Sequence, residues 1–392
     1  MTLPTCPRVA TGQQIGVGWT PALSVVKALA ALAEARRLGG EAVYWMADED
    51  HDQLEVATTV GFDGNRLVRH RFAFAAPPGT ATGWLAWTSE HQRQAEALWG
   101  EVPAAEDDTL AGHVRALGAP LWRRGLRPFS PTRAEARPAI QEELARIRAL
   151  GLERLLYKQA ERLLAEGRSL PLDPRTQAAW FCLDPRTGRR RRLEAGETCD
   201  RGHWLSPGAA LRPLMQSLLI PGLEAVVLGP GERAYWQLTE PCWDKADIRP
   251  PRIIARPSVY VLPRGLRLPP YLLEPLREGR WEAFWREGVP RPTEALGLAP
   301  DPAWSPQVAE RFTRELDRTR ARLVRLDRRL AREAAAQTLG MDPEHLRQHL
   351  FPLGHPQERV LPGLPWLRRE DLLDRMLSAL EGRSPLVLLE EP

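Results

Sequence analysis

The segment that most constrains this chain is Glu41–Ala47 (EAVYWMA), a largely apolar run of strand length that ends on the acidic string Asp48-Glu49-Asp50-His51-Asp52. A continuous apolar strand is what a parallel sheet needs when helices cover both of its faces. Upstream, Arg8–Ala10 reads as a short strand entering the tight segment Thr11-Gly12-Gln13-Gln14-Ile15-Gly16. A helix follows from about Pro21 to Leu38, with Leu23, Val26, Ala30 and Ala33 on one face and Gly39-Gly40 as its stop. The first sixty residues therefore read as a β-α-β unit. The acidic string then falls beyond the carboxyl end of a strand, where open α/β sheets bind ligands.

Length and composition agree with a folded chain of more than one domain. The 392 residues carry 43% hydrophobic and 27% charged side chains, and Gly and Pro together stay below the level of a low-complexity chain. The formal net charge is only +4, with acids nearly as numerous as bases. Lysine occurs only at 27, 158 and 245 and asparagine only at 65, so arginine dominates the basic count. Many Arg and Pro with almost no Asn fits a thermophile-like composition. Arg189–Arg192 is the one dense basic run and reads as a solvated loop, which leaves nucleic acid a minor alternative. The four cysteines, at 6, 182, 199 and 242, form no C-x-x-C pair and are too few for a disulfide scaffold; Cys182 and Cys199 read as structural. MTLPTCPRVATGQQ does not read as a signal peptide, and the apolar stretch Leu218–Leu228 is broken by Pro221, Gly222 and Glu224. No membrane association is expected, and the expected location is cytoplasmic.

Further along, a helix is expected at 89–99 and a strongly helical segment at 132–167, interrupted at Gly151. Ala178–Leu183 and Arg190–Leu193 flank the turn 184–188 as a strand pair. A second α/β unit follows: a helix near Ala210–Leu219, the strand Glu224–Leu228, the turn Gly229-Pro230-Gly231-Glu232 and a helix from there. Ile253–Leu262 reads as one more strand. Over Pro300–Leu339, Leu316, Thr319, Leu323, Leu326 and Leu330 step by 3 and 4, the seam spacing of a coiled coil. The domain expectation is a first core part at 1–130, a helical segment at 131–170, a second core part with a small β insertion at 171–298, a helical arm at 299–350 and a C-terminal return to the core at 351–392.

Several constellations can carry chemistry. Gly12 and Gly16 allow close approach of the chain, Gln13 and Gln14 add neutral donors, and a helix N-terminus after them would favour an anion; a structural turn is the alternative. Four carboxylates and one imidazole within Asp48–Asp52 would perturb one another's protonation, and His51 held by Asp50 or Asp52 could act as a general base; a solvated acidic loop is the alternative. That string is a poor zinc shell, and no metal-ligating residue is singled out; whether a metal accompanies a nucleotide stays open. Arg212 and Gln216 are four apart and share a helix face, where the guanidinium could clamp a carboxylate or phosphate, or simply pair with a structural acid. Gly229–Glu232 has the strand-to-helix geometry that holds a polar ligand group; a plain β-to-α turn is the alternative.

The order of five motifs resembles one family. T-G-Q-Q-x-G at Thr11–Gly16, W-x-A-x-E-D-H-D at Trp45–Asp52, S-P-x-x-x-L-R-P-x-x-Q at Ser206–Gln216, G-P-G-E-x-A-Y-W at Gly229–Trp236 and P-Q-E-R at Pro356–Arg359 look like the bacillithiol-biosynthesis cysteine-adding enzymes. The resemblance runs from about residue 8 to residue 367. It implies an α/β fold: a Rossmann-like parallel-sheet core with inserted connecting segments and a helical, antiparallel coiled-coil arm that can mediate a homodimer. The implied activity is a ligase joining the carboxyl group of cysteine to the amine of glucosaminyl malate. Amide formation from a free carboxylate requires activation, so ATP (or its product ADP) is the implied cofactor.

Carried over by motif, Thr11, Gly12, Gln13, Gln14 and Gly16 would bind the nucleotide. His51 would be the base with Asp50 and Asp52, and Trp45, Glu49, Arg212, Gln216, Gly229, Gly231, Glu232 and Tyr235 would contact substrate. The chain departs from the family pattern at Gly208 and Ser217, and only ten residues precede its first motif. A shortened, non-catalytic relative that binds a nucleotide or sugar-phosphate is the second reading.

Overall fold

The computed structural model describes residues 6–63, 66–133, 137–170, 172–194, 196–266, 268, 270–280 and 301–391. Two compact units emerge: Met1–Val259 with Glu358–Val387, and Tyr260–Gln357 with Leu388–Pro392.

In the first unit, β1 (Arg8–Gln13), α1 (Leu23–Arg37) and β2 (Glu41–Met46) form the expected β-α-β unit. The strand β1 runs further than its sequence suggests, because Thr11, Gly12 and Gln13 lie in register with Tyr44, Trp45 and Met46. Gly and Gln have little strand preference of their own; pairing along the whole of β2 holds them extended. The expected turn from Thr11–Gly16 directly into a helix N-terminus is therefore corrected. A short 3-10 turn at Val17–Trp19 intervenes, and α1 starts only at Leu23.

Further along come β3 (Leu126–Phe129), α2 (Arg137–Ala149) and α3 (Glu153–Ala165). They are followed by β4 (Trp180–Leu183), β5 (Arg190–Arg192), β6 (Trp204–Pro207), α4 (Arg212–Leu219), β7 (Leu223–Leu228), α5 (Pro230–Trp236) and β8 (Arg252–Ala255). The central sheet has the order β8-β7-β1-β2-β3, parallel throughout. The chain builds outward from β1 to β3 and then returns to the other side of β1. The reversal between β1 and β7 is a topological switch point, as in doubly wound folds.

Helix α1 packs on one face of this sheet and against the C-terminal helix Glu370–Glu381. On the other face, Ala10, Val43, Trp45, Val226 and Leu228 share a core with Ile140, Leu144 and Ile147 of α2, Leu156, Ala160 and Leu163 of α3, and Leu214 and Met215 of α4. The 3–4 spacing in α2 and α3 is the stripe that buries one face. The expected single strand Ile253–Leu262 is two strands, β8 and Ser258–Leu262. Pro257 lacks the N–H that a continuous ladder needs. The run Arg189–Arg192 is not a loop: β5 pairs with β4, and β4 pairs antiparallel with β6.

The second unit contains α6 (Pro306–Leu339), a single helix of 34 residues. The Ser305 hydroxyl accepts the Val308 N–H at its start, and Gly340 takes a positive φ at its end. Leu316 is buried, whereas Leu326 and Leu330 are exposed. The expected boundary at 298–299 lies outside the described residues. Among the described residues, no helix is long and apolar enough to cross a membrane.

Candidate active site

A cavity of about 360 Å³ opens at the carboxyl ends of β1, β2 and β7, beside the switch point. Gly12, Gln13 and Gln14 come from the end of β1, Trp45 and Ala47 from the end of β2, and Leu228 from β7. Asp50 and Glu55 approach from the acidic loop, Arg212 and Gln216 from α4, and Gly231, Glu232, Tyr235 and Trp236 from α5. Four stretches distant in sequence thus line one space. Gly12 is sterically required, since a Cβ there would lie 2.8 Å from the Trp45 carbonyl oxygen and 2.9 Å from its Cβ. Gly208, one of the departures from the family pattern, has a comparable reason: a Cβ would lie 2.2 Å from the Ala178 carbonyl oxygen. The other departure, Ser217, donates its hydroxyl to the Pro213 carbonyl one turn earlier in α4.

Asp50 is the electrostatic hub. Arg212 donates to its Oδ2 at 3.2 Å, the His51 backbone N–H to its Oδ1 at 2.8 Å, and Arg190 stands 3.9 Å away. Burial alone would raise the carboxyl, but the Arg212 and Arg190 guanidiniums and the His51 N–H hold it down at about 2. Arg190 is itself buried over the ring of Phe181 and donates to the Ser206 hydroxyl and the Pro207 carbonyl.

The expectation that Asp50 or Asp52 orients His51 is corrected. Arg190 Nη1 donates to His51 Nδ1 at 3.2 Å, whereas Asp50 Oδ1 is 3.8 Å from that nitrogen. Asp52 instead caps the helix Gln53–Ala57, accepting the Glu55 N–H at 3.0 Å. A guanidinium has only donors, so His51 Nδ1 is the acceptor and the neutral ring carries its proton on Nε2. Burial, then Arg190, lowers the imidazole's proton affinity.

Behind the cavity wall lies Lys27, fully buried in α1. Its Nζ meets the Glu232 carboxylate at 2.6 and 2.8 Å and Gln13 Oε1 at 3.1 Å, and also donates to the Gly12 carbonyl. Burial lowers the ammonium's proton affinity and Glu232 raises it. Glu232 turns back to accept the Gly229 N–H at 2.8 Å, so this side chain ties α1 to the start of α5. Burial, followed by Asp52 and Asp50, raises the Glu55 carboxyl at the cavity rim.

The first half of the acidic string points inward. Asp48 is buried and accepts the hydroxyls of Ser130 and Thr132, the latter at 2.8 Å. Burial raises its carboxyl to about 7 against those two hydrogen bonds. Glu49 pairs with buried Arg137 at 2.7 Å, and the guanidinium lies over Trp204.

Of the residues singled out from sequence, Gly12, Gln13, Gln14, Trp45, Asp50, Arg212, Gln216, Gly231, Glu232 and Tyr235 line the cavity. Thr11 is buried, donating its hydroxyl to the Val227 carbonyl at 3.0 Å. Gly16 lies against Thr20, and Glu49, His51, Asp52 and Gly229 take the neighbouring positions described above. Lys27, Glu55, Arg137 and Arg190 were not anticipated. Lys27 left a signal: it is the one lysine set inside an apolar helical run, VVKALAALA.

The cavity wall offers one guanidinium, three carboxylates (Asp50, Glu55 and Glu232) and three amides (Gln13, Gln14 and Gln216). That set suits a small molecule bearing both an amine and a carboxylate. The Ser24 and Val25 N–H groups at the start of α1 are used internally, and the Gly229 N–H is taken by Glu232.

A family model described as "Bacillithiol biosynthesis BshC, N-terminal Rossmann-like domain" matches residues 190–257. A Thermus thermophilus protein named "Putative cysteine ligase BshC" is 31% identical over 97% of this chain and 88% of its own length. The protein of that name in a second strain of the same species has the same identity and coverage. A Solibacter usitatus protein, also so named, is 28% identical over 95% of this chain and 82% of its own.

Proposed function

The chain belongs to the BshC family of bacillithiol biosynthesis, and on that premise we propose that it joins the carboxyl group of cysteine to the amine of glucosaminyl malate. The observation that carries this reading is the convergence of Arg212, Asp50 and Glu55 with the motif glycines and glutamines on one small cavity. ATP, when bound, supplies the activation that turns the cysteine carboxyl into an acyl donor.

The residues then have separable tasks. Arg212, already anchored by Asp50, holds a substrate carboxylate such as that of malate through its remaining donors. Glu55, whose proton affinity is raised, takes the proton that the attacking ammonium must lose. His51, with its proton on Nε2, is a hydrogen-bond donor at the rim rather than the base. Gln13 and Gln216 orient polar groups without adding charge. The exposed Leu326 and Leu330 of α6 are the surface through which a homodimer would form.

Incubating the purified protein with cysteine, ATP and glucosaminyl malate tests the reading. The expected result is a product heavier than glucosaminyl malate by one cysteinyl residue, detected by mass. Absence of that product while nucleotide binds would instead support the non-catalytic reading.

A further inference from the structure

The small sheet β5-β4-β6 carries a second cluster, none of whose residues lines the cavity. Strand alternation places Phe181 and Leu183 on one face of β4 and Cys182 on the other. The connection from β5 to β6 brings Cys199, Asp200 and His203 back over Cys182. Cys182 and Cys199 are joined as a disulfide with their Cα atoms 5.2 Å apart. The Asp200 N–H points at Cys182 Sγ at 3.4 Å. His203 Nδ1 lies 3.7 Å from the same sulfur and 3.5 Å from Asp200 Oδ2. The donor atoms of Cys182, Asp200 and His203 all fall within 4.8 Å of one another.

The two His203 Nδ1 separations, to Cys182 Sγ and to Asp200 Oδ2, are those of neighbouring donors in a tetrahedral shell. Zinc bonds of ~2.3 Å to sulfur and ~2.0 Å to nitrogen, at tetrahedral angles, set neighbouring donors about 3.5 Å apart. His203 Nε2 has Asp184 Oδ1 3.9 Å away, a carboxylate that also accepts the Arg186 N–H and the Thr187 hydroxyl. A carboxylate behind the non-ligating nitrogen is the usual outer support of a metal-bound histidine. Two thiolates, one imidazole and one carboxylate suit a borderline-soft divalent ion better than a hard one.

We propose that Cys182, Cys199, Asp200 and His203 form a binding site for a divalent cation of the Zn²⁺ type, closed by the disulfide and opened to metal by a dithiol. In the opening step the dithiol gives two electrons and two protons to the Cys182–Cys199 bond and becomes a disulfide itself. The two thiols then lose their protons as they bind the ion. The inference is independent of the ligase reading, since none of the four residues lines the cavity.

The test uses the full chain, reduced with dithiothreitol, freed of reductant under nitrogen and titrated with Co²⁺ as a spectroscopic probe. One equivalent should bind, with a thiolate-to-cobalt charge-transfer band and the visible bands of tetrahedral cobalt. Zn²⁺ should displace it, and the oxidised protein should show neither band. His203→Ala should weaken binding by more than about 100-fold, beyond the ~10–100-fold cost of losing an outer partner, which is the range expected for Asp184→Asn. Cys182→Ser should lose about half of the charge-transfer intensity, the share of one of the two thiolates; if it does not fold, the two milder variants carry the test. Absence of tetrahedral bands in the reduced wild type, or unchanged affinity in His203→Ala, overturns the proposal.

Discussion

Asp48 and Asp50 stand two residues apart in one acidic loop, yet the protein drives them in opposite directions. Asp48 is buried beyond the end of β2, where the hydroxyls of Ser130 and Thr132 donate to its carboxylate, and burial raises it to about 7. Asp50 lies at the cavity between two guanidiniums, which hold it at about 2 against its own burial. Glu49 and Arg137 belong with Asp48 as buried anchors, and Arg212 and Glu55 belong with Asp50 on the cavity wall. Charge density along a sequence therefore says little about role. The partner met in space decides whether a carboxylate braces the fold or faces a ligand.

Substitutions can break this contrast. The largest effect is expected for the inner half: Arg137→Ala leaves Glu49 buried and unpaired, and should cost about 3–5 kcal/mol in urea unfolding. An unchanged midpoint would show that the pair does not brace the fold. For the outer half, Asp50→Asn removes the counter-charge of Arg212 and Arg190. It should lower kcat/KM by about 100-fold, a loss of ~2.7 kcal/mol in transition-state binding, while the protein remains folded by circular dichroism.

The two carboxyls should also separate by pH. Asp48 keeps its proton in the folded state up to about 7, whereas an unfolded carboxyl loses it near ~4. Its contribution to stability is thus fully present below ~4 and lost as pH rises to about 7. Asp50 behaves oppositely: its contribution is present above ~4 and lost as pH falls toward about 2. Unfolding measured across pH should be flatter between 4 and 7 in Asp48→Asn and flatter below 4 in Asp50→Asn. Identical profiles in both variants would remove the distinction. The smallest effect is Thr132→Val, which deletes one hydrogen bond to Asp48 and should cost about 1 kcal/mol while raising that carboxyl further.

Much of the frame was legible because it rests on local pattern. The run EAVYWMA and the helix before it define β1-α1-β2, and the apolar spacing at Ile140, Leu144 and Ile147 defines α2. The motif positions around 12, 50, 212 and 231 do meet on one cavity. What the sequence hid was pairing at long range. Register with β2 turned Thr11–Gln13 into strand and displaced the expected helix N-terminus. Arg190 sat in a run of four arginines, and only its place over Phe181, beside His51, distinguishes it from its neighbours. Arg137 carried no local signal, because its partner lies 88 residues away.

Calorimetric titration of glucosaminyl malate into the intact wild type and the folded Arg212→Ala variant tests most directly whether this cavity receives the substrate. The account predicts saturable binding to the wild type and a loss of at least about 10-fold in affinity for the variant, the equivalent of one charge-assisted hydrogen bond. Equal affinity for both proteins would contradict it.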